Sequence, residues 1–252
     1  MLTGERYYAG IREPTARLAG IVATADQATH IPSCPDWTLR QLATHLGRGQ
    51  RWAAEIVRRR SPEFIAFRDV PDGRIPDDPA ARPDWLNAGP ALLTGTLADA
   101  GQEHVWTFLG MRPASFWARR MAHETAVHVA DAELATGHSP SIPADLAADA
   151  IDEWLMLLGQ DSDGDMPLAA ERQTLHLHAT DDGLDGTGEW LVRSAGQGIA
   201  VEPGHAKADA ALRGPAASLL LVLLRRLPLA TPGVELLGDG TILSHWLART
   251  PY

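Results

Sequence analysis

The chain of 252 residues contains one cysteine, Cys34, and has no excess of basic side chains. A single cysteine excludes an intrachain disulfide framework and a cysteine-built zinc site, and it fits a reducing compartment. The formal charge of −10 at pH 7 disfavours a nucleic-acid partner, because phosphate neutralisation needs clustered positive charge. The N-terminal segment lacks the apolar core of a signal peptide. A cytoplasmic protein is therefore expected.

Long hydrophobic runs are also missing. The longest apolar stretch, Ala216 to Leu224, is interrupted by Ser218 and stops at two arginines, far short of the roughly 20 residues that a membrane span needs. It predicts a buried helix and no membrane association. The remaining composition, with 45% hydrophobic and 21% charged residues, is typical of a soluble globular protein with one large domain or two modest ones.

The first part of the chain reads as helices separated by loops rich in proline and glycine. Thr38 and Gln41 have the spacing of a capping box, which predicts a helix from Leu39 to near Arg60. His45 falls at the edge of the apolar arc of this helix. The arc itself consists of Leu39, Leu42, Leu46, Ala53, Ile56 and Val57.

Further helices are predicted over residues 89–100, 113–137 and 143–158, the second of them beginning at a first-turn proline and ending at Gly137. The long connection at residues 61–90 indicates a functional loop. Together these elements predict a helix bundle over residues 1–160. A small α+β domain is expected over residues 161–252, after a polar junction at residues 161–165.

In that second domain the pattern changes from helical to alternating. Residues 174–180 place apolar side chains on one face and polar ones on the other, which predicts a half-buried strand. His176 and His178 share the polar face, where they fit a metal site and an ordinary polar sheet surface equally well. Three more short strands, a helix at residues 215–226, a strand at 234–237 and a helix at 241–248 complete the α+β domain.

The densest run of potential metal ligands lies in the helix predicted over residues 113–137. At about 100° per residue, Glu124, His128 and Asp131 share one stripe, whereas His123 lies off it. The spacing from His123 to His128 is one residue too long for a zincin motif, so a metalloprotease is disfavoured.

Glu124 and His128 can meet one metal ion, and His45 is the best candidate for a third ligand because its helix faces the same core. Two histidines and one carboxylate with an open position suit zinc or another divalent ion. The spacing alone also fits a solvated ion pair with His45 as a hydrogen-bonded edge histidine.

A family resemblance favours the metal site. The segments that carry it are CPDWTLRQLATHLG at residues 34–47, FWARRMAHETAVH at residues 116–128 and LHLHATD at residues 175–181, followed by GEW at residues 188–190. They resemble the mycothiol-dependent maleylpyruvate isomerase family. The resemblance implies a two-domain fold, with a DinB-like four-helix bundle followed by an α+β domain similar to sterol carrier proteins. It also implies that the metal triad is His45, Glu124 and His128.

The activity that the resemblance implies is metal-assisted thiol chemistry. A bound zinc ion would stabilise the thiolate of mycothiol, which would add to a maleylpyruvate-like double bond, permit rotation and then leave. A sibling S-transferase would release the thiol adduct of an electrophile instead. The expected partners are therefore a small-molecule thiol and an electrophilic substrate, and we expect a monomer. The alternative is a non-catalytic sensor that binds metal or thiol.

An anionic substrate needs a cation, and Arg226 matches the position of the family's functional arginine in the second domain. The resemblance therefore implies a catalytic and substrate-binding role for Arg226, whose guanidinium can hold a carboxylate with two hydrogen bonds. A helix C-terminal capping role fits either Arg225 or Arg226 as well, so the assignment between these neighbours stays open. The roles of Asp131 and Cys34 are open too. Asp131 fits a partner of a ligand histidine, a residue that faces a neighbouring helix, or a contact to a thiol-sugar ligand. Cys34 fits a reactive thiol or, more commonly, a small packed side chain.

Overall fold

The computed structural model describes residues 1–160, 168, 173–195 and 198–250. It divides into two compact units, the first comprising Met1–Ser141 and the second the described residues from Ile142 onward. This division lies before the boundary expected after residue 160. Helix α5 (Ala144–Gln160) belongs to the second unit because it packs against α6 (Ala216–Leu223) and β5 (Gly198–Pro203). The junction predicted at residues 161–165 lies outside the described residues.

The first unit is a bundle of four long helices. Helices α1 and α2 each pack against α3 and α4, which closes the bundle around one apolar core. The predicted apolar arc of α2 faces that core, since all of its members are buried. The four helices are α1 (Gly4–Thr24), α2 (Leu39–Arg58), α3 (Arg82–Ala100) and α4 (Ser115–Ala135).

The predicted capping box begins α2. The Thr38 hydroxyl accepts a hydrogen bond from the Gln41 amide at 3.4 Å, and the Thr38 amide donates to the Gln41 side chain at 2.8 Å. These two bonds satisfy backbone donors that would otherwise lack partners at the helix start. The cap fixes where α2 begins, and the buried apolar arc sets which face of the helix meets the core.

The structure differs from the predicted elements at two places before α4. A hairpin of β1 (His104–Thr107) and β2 (Gly110–Pro113) precedes α4, so Pro113 ends a strand and does not begin a helix. Helix α3 begins at Arg82, seven residues before its predicted start. The long connection before it contains one-turn helices at Phe67–Asp69 and Pro79–Ala81.

The second unit is α+β, as expected. Its five-stranded sheet has the order β5-β4-β3-β6-β7, in which β3 and β6 are parallel and the other neighbours are antiparallel. Helices α5 and α6 pack together, and α6 also contacts β3 and β6. The remaining elements are β3 (Thr174–Ala179), β4 (Glu189–Ala195), β6 (Ala210–Gly214), β7 (Glu235–Gly238) and α7 (Gly240–Arg249).

Strand β3 is more buried than its alternating pattern predicts. Leu175 and Leu177 are fully buried, and His176 on the opposite face is only 3% exposed. The polar face is not a solvent surface, because Glu189 and His205 lie against His176 there. No helix among the described residues combines the length and the apolar character that crossing a membrane requires.

Candidate metal centre

Helices α2 and α4 bring together the three side chains predicted to bind metal. His45 lies on α2, between the buried Leu42 and Leu46, and its half-buried imidazole reaches α4. Glu124 and His128 are one turn apart on α4 and share one stripe of that helix. Because α2 and α4 pack in the same bundle, the three side chains converge.

The geometry of the three ligand atoms fits one metal ion. The Oε1 atom of Glu124 lies 3.1 Å from Nε2 of His45 and 3.2 Å from Nε2 of His128, and all three atoms lie within 4.8 Å of one another. Zinc bonds of roughly 2.0–2.2 Å place tetrahedral ligands about 3.4 Å apart. The two imidazole nitrogens and the carboxylate oxygen therefore have the chemistry and the separations that such an ion requires.

Two opposed effects set the charge of this site. Burial would raise the pKa of Glu124, but hydrogen bonds with His128 and His45 and the charge of Arg120 hold that pKa well below its usual range. Burial would likewise lower the pKa of His128, but hydrogen bonds with Asp131 and Glu124 raise it to about 9. The ionised carboxylate of Glu124 is thus paired with positive charge. A divalent cation would supply the same compensation.

Asp131 fixes the orientation of His128. Its Oδ2 atom lies 2.9 Å from Nδ1 of His128, and its Oδ1 atom accepts a hydrogen bond of 2.6 Å from the Ser33 hydroxyl. An ionised carboxylate only accepts hydrogen bonds, so Nδ1 of His128 carries the proton and Nε2 faces Glu124. This arrangement of carboxylate, histidine and ligand position is the one that orients metal-bound histidines.

Replacing Asp131 with asparagine tests that role. The amide keeps the shape of the side chain but loses its charge and leaves the tautomer of His128 unspecified. We expect metal affinity to fall by about 10–100-fold, the range found for partners of metal-bound histidines. Competition against a chromophoric chelator measures the change. Ser33→Ala is the milder control, because it removes one neutral donor to the same carboxylate. Unchanged affinity in Asp131→Asn would contradict the orienting role.

Trp37 and Cys34 surround the histidines. The Trp37 ring lies 4.7 Å from the His45 ring and 5.8 Å from the His128 ring, centroid to centroid. The Cys34 sulfur lies within 4.8 Å of a ligand-type atom of His128 and of Asp131, and its partly buried side chain packs against the bundle core. The indole restricts the movement of both imidazoles, which helps to preorganise them.

A cavity of about 280 Å³ opens beside the triad, and His45 and Glu124 form part of its wall. Most of the lining is aromatic or apolar, and two arginines, Arg48 and Arg120, supply positive charge. Arg120 pairs with the second carboxylate oxygen of Glu124, and the guanidinium of Arg48 lies 5.1 Å from the Phe67 ring centre. The other lining residues are Leu46, Gly49, Trp52, Phe67, Phe108, Trp117 and Met121.

The sequence reading did not identify the arginines of this cavity. Arg120 precedes Glu124 by four residues and so lies on the same stripe of α4, a signal that could have identified it. Phe67 lies in the long connection that was predicted to be functional. The aromatic lining comes from several separate elements, and no local spacing marks it.

Arg226 belongs to the second unit, just after α6. It is half-buried, and its Nη1 atom donates a hydrogen bond of 2.8 Å to the Leu224 carbonyl. The neighbouring Arg225 adopts a positive φ of 60° and donates a hydrogen bond to the Thr250 carbonyl at the end of α7. The substrate-binding role of Arg226 stays a prediction.

The chain is a two-domain protein, with a helix bundle that carries the candidate metal centre and an α+β domain after it. Residues 9–133 match the model of the mycothiol maleylpyruvate isomerase N-terminal domain, and residues 145–245 match the MDMPI C-terminal domain. The chain therefore belongs to the mycothiol maleylpyruvate isomerase family, a family of enzymes. The second match begins inside α5, in agreement with the division into units.

Solved structures show the same fold. A mycothiol-dependent maleylpyruvate isomerase is 17% identical to this chain, with a TM-score of 0.59 and 93% of each chain covered. A mutant of the mycothiol-dependent maleylpyruvate isomerase has the same identity and coverage and a TM-score of 0.54. At this identity the likeness shows the fold alone. No curated protein matches the chain.

Proposed function

We propose that this chain is a metal-dependent isomerase that uses mycothiol on a maleylpyruvate-like substrate, with His45, Glu124 and His128 as the metal ligands and zinc as the favoured ion. The observation that carries the proposal is the convergence of Nε2 of His45, Oε1 of Glu124 and Nε2 of His128 beside a cavity. Membership of the family supports mycothiol as the thiol. Transfer of the thiol to an electrophile is the second activity that this site could support.

A divalent ion bound by the triad would favour the thiolate form of a coordinated thiol near neutral pH. The chain's own residues prepare the site for that chemistry. Asp131 holds the proton on Nδ1 of His128, so that Nε2 remains a ligand. Trp37 restrains both imidazoles. The ligand atoms are therefore in place before any small molecule arrives.

The cavity wall suits an unsaturated, anionic substrate. Arg48 and Arg120 supply guanidinium groups that can bind carboxylates. Trp52, Phe67 and Trp117 form apolar walls that exclude water, which strengthens the charge interactions inside. A carbon skeleton would lie against the rings while its carboxylates meet the arginines.

The direct test is a steady-state assay of the purified full chain with maleylpyruvate and mycothiol. We expect turnover that needs both compounds, disappears after chelation and returns with zinc.

Cobalt substitution adds an independent measurement. Direct ligation by the mycothiol sulfur changes the visible spectrum of a cobalt site, and formation of the thiolate releases protons. A mycothiol-dependent spectral change without isomerisation, but with adduct formation from an electrophile, would assign S-transfer. Binding of mycothiol with no turnover of either kind would overturn the enzyme proposal and favour a sensor.

A further inference from the structure

A second group of metal-ligand side chains lies on the sheet of the second unit. It consists of His176, Glu189 and His205, and we name it the sheet cluster. The Oε2 atom of Glu189 lies 3.1 Å from Nε2 of His176 and 2.7 Å from Nδ1 of His205. The three ligand atoms all lie within 4.8 Å of one another. His178 adjoins the cluster, with its Nδ1 atom 3.8 Å from the same oxygen of Glu189.

Strand register and one turn assemble the sheet cluster. His178 pairs directly with Glu189 across β3 and β4, and His176 lies two residues away on the same face of β3. His205 follows β5, where Gly204 adopts a φ of 112° and its amide donates to the Glu189 carbonyl at 3.0 Å. A side chain at that backbone conformation would be strained. The glycine turn thus directs His205 back over Glu189.

The three imidazoles surround the carboxylate. The ring centre of His176 lies 5.2 Å from that of His205 and 5.8 Å from that of His178, and the rings of His178 and His205 are 5.8 Å apart. His176 and His178 lie on β3, whereas His205 follows β5, so β4 and β5 separate the two segments in the sequence. All three rings nevertheless lie around the Glu189 carboxylate. An ordinary polar sheet surface does not need three histidines gathered around one carboxylate oxygen.

A buried nitrogen points to a ligand. The His176 side chain is 4% exposed, and its Nε2 atom forms no hydrogen bond within the described part of the chain, although Glu189 is only 3.1 Å away. The contact is short but does not have the geometry of a hydrogen bond. Buried nitrogens without a hydrogen bond are rare and cost free energy. A cation held between the nitrogen and the carboxylate would remove that cost.

We propose that the sheet cluster is a second divalent metal site, with His176, Glu189 and His205 as ligands and His178 as the fourth ligand. Imidazole nitrogens with one carboxylate oxygen suit zinc and its neighbours among the first-row metals. The ion would join β3, β4 and the turn after β5, which are remote in sequence. Its role is to hold the turn at Gly204 and His205 on the sheet, as structural metal sites do.

The experiment uses the full-length chain in a His45→Ala, His128→Ala background, which removes the histidines of the triad. Zinc is titrated against a chromophoric chelator, and the cobalt-loaded protein is recorded in the visible range. We expect about one zinc ion per chain to bind. His205→Ala should then lower the affinity by at least about a hundredfold, because removing a ligand costs more than removing a partner of a ligand.

His205 is the variant of choice because its side chain is 73% exposed, so the fold should survive its removal. His245→Ala, at a half-buried position on α7 in the same unit, is the matched control and should leave the affinity unchanged. Glu189→Gln is a second variant that should weaken zinc binding, because it removes the charge of a proposed ligand. Circular dichroism checks that each variant is folded. The proposal is overturned if the background protein binds no zinc, or if folded His205→Ala and Glu189→Gln bind it as tightly as the background does.

Discussion

His45→Ala is expected to lose the metal ion bound by the triad and nearly all thiol-dependent turnover. The substitution leaves two of three proposed ligands, too few for the tetrahedral site that the triad outlines. A catalytic ion contributes several kcal/mol to transition-state stabilisation, which corresponds to about a thousandfold or more in rate. Elemental analysis should show about one ion fewer per chain than in the unsubstituted protein, and the assay with maleylpyruvate and mycothiol measures the turnover.

The bundle should remain folded in this variant. His45 is half-buried at the edge of α2, whereas the capping box and the buried arc of that helix are untouched. His138→Ala is the matched control, because His138 is exposed just after α4 and its Nδ1 atom lies 2.9 Å from the Thr136 hydroxyl, away from the triad. It should keep both metal and activity. A folded, active His45→Ala protein with full metal content would contradict the assignment of this ligand.

The sequence could predict the parts of the fold that depend on local signals. The cap at Thr38 and the apolar periodicity of α2 are confirmed because hydrogen bonds and burial on one helix act within a few residues. The alternation at residues 174–180 likewise marked β3. The hairpin before α4 was missed, since its strands have four residues each, too short for a clear period. Pro113 also fits a helix start as well as a strand end.

The boundary between the two units is harder to predict from the sequence than the helices themselves. The amphipathic pattern of α5 identifies a helix but does not say which core it joins. Packing against α6 and β5 places it in the second unit, and that contact lies more than 30 residues away in sequence. Long-range packing of this kind leaves no local trace.

The candidate metal centre was predictable for a geometric reason. Glu124 and His128 share a helical stripe by spacing alone, and His45 was selected by the direction of its helix. Neither signal could give the distance between α2 and α4, which is set by the side chains packed between them. The aromatic cavity wall depends on the connection around Phe67 and on the hairpin. Those segments lack a regular period, so the substrate side of the site was less predictable than the metal side.

The two neighbouring arginines of the second unit now differ physically. The guanidinium of Arg225 bonds to the Thr250 carbonyl and thereby joins the segment after α6 to the end of α7. Its positive φ also fits a turn residue. These features give Arg225 a structural role. The assignment of substrate binding to Arg226 continues to rest on the family resemblance, since Arg226 also bonds to the backbone, at the Leu224 carbonyl.

Arg226→Lys is expected to damage turnover although it keeps the charge. An ammonium lacks the planar pair of donors with which a guanidinium holds a carboxylate, and loss of one charge-assisted pair at a buried site would lower the rate by about a hundredfold. Arg225→Lys is the matched control, and its effect should fall on thermal stability while turnover is retained. Steady-state kinetics with maleylpyruvate separate the two variants. If Arg225→Lys is the damaging change, the assignment shifts by one residue. If neither change matters, the second unit supplies no cation for the substrate, and Arg48 and Arg120, whose guanidinium groups line the cavity, bind the carboxylates without it.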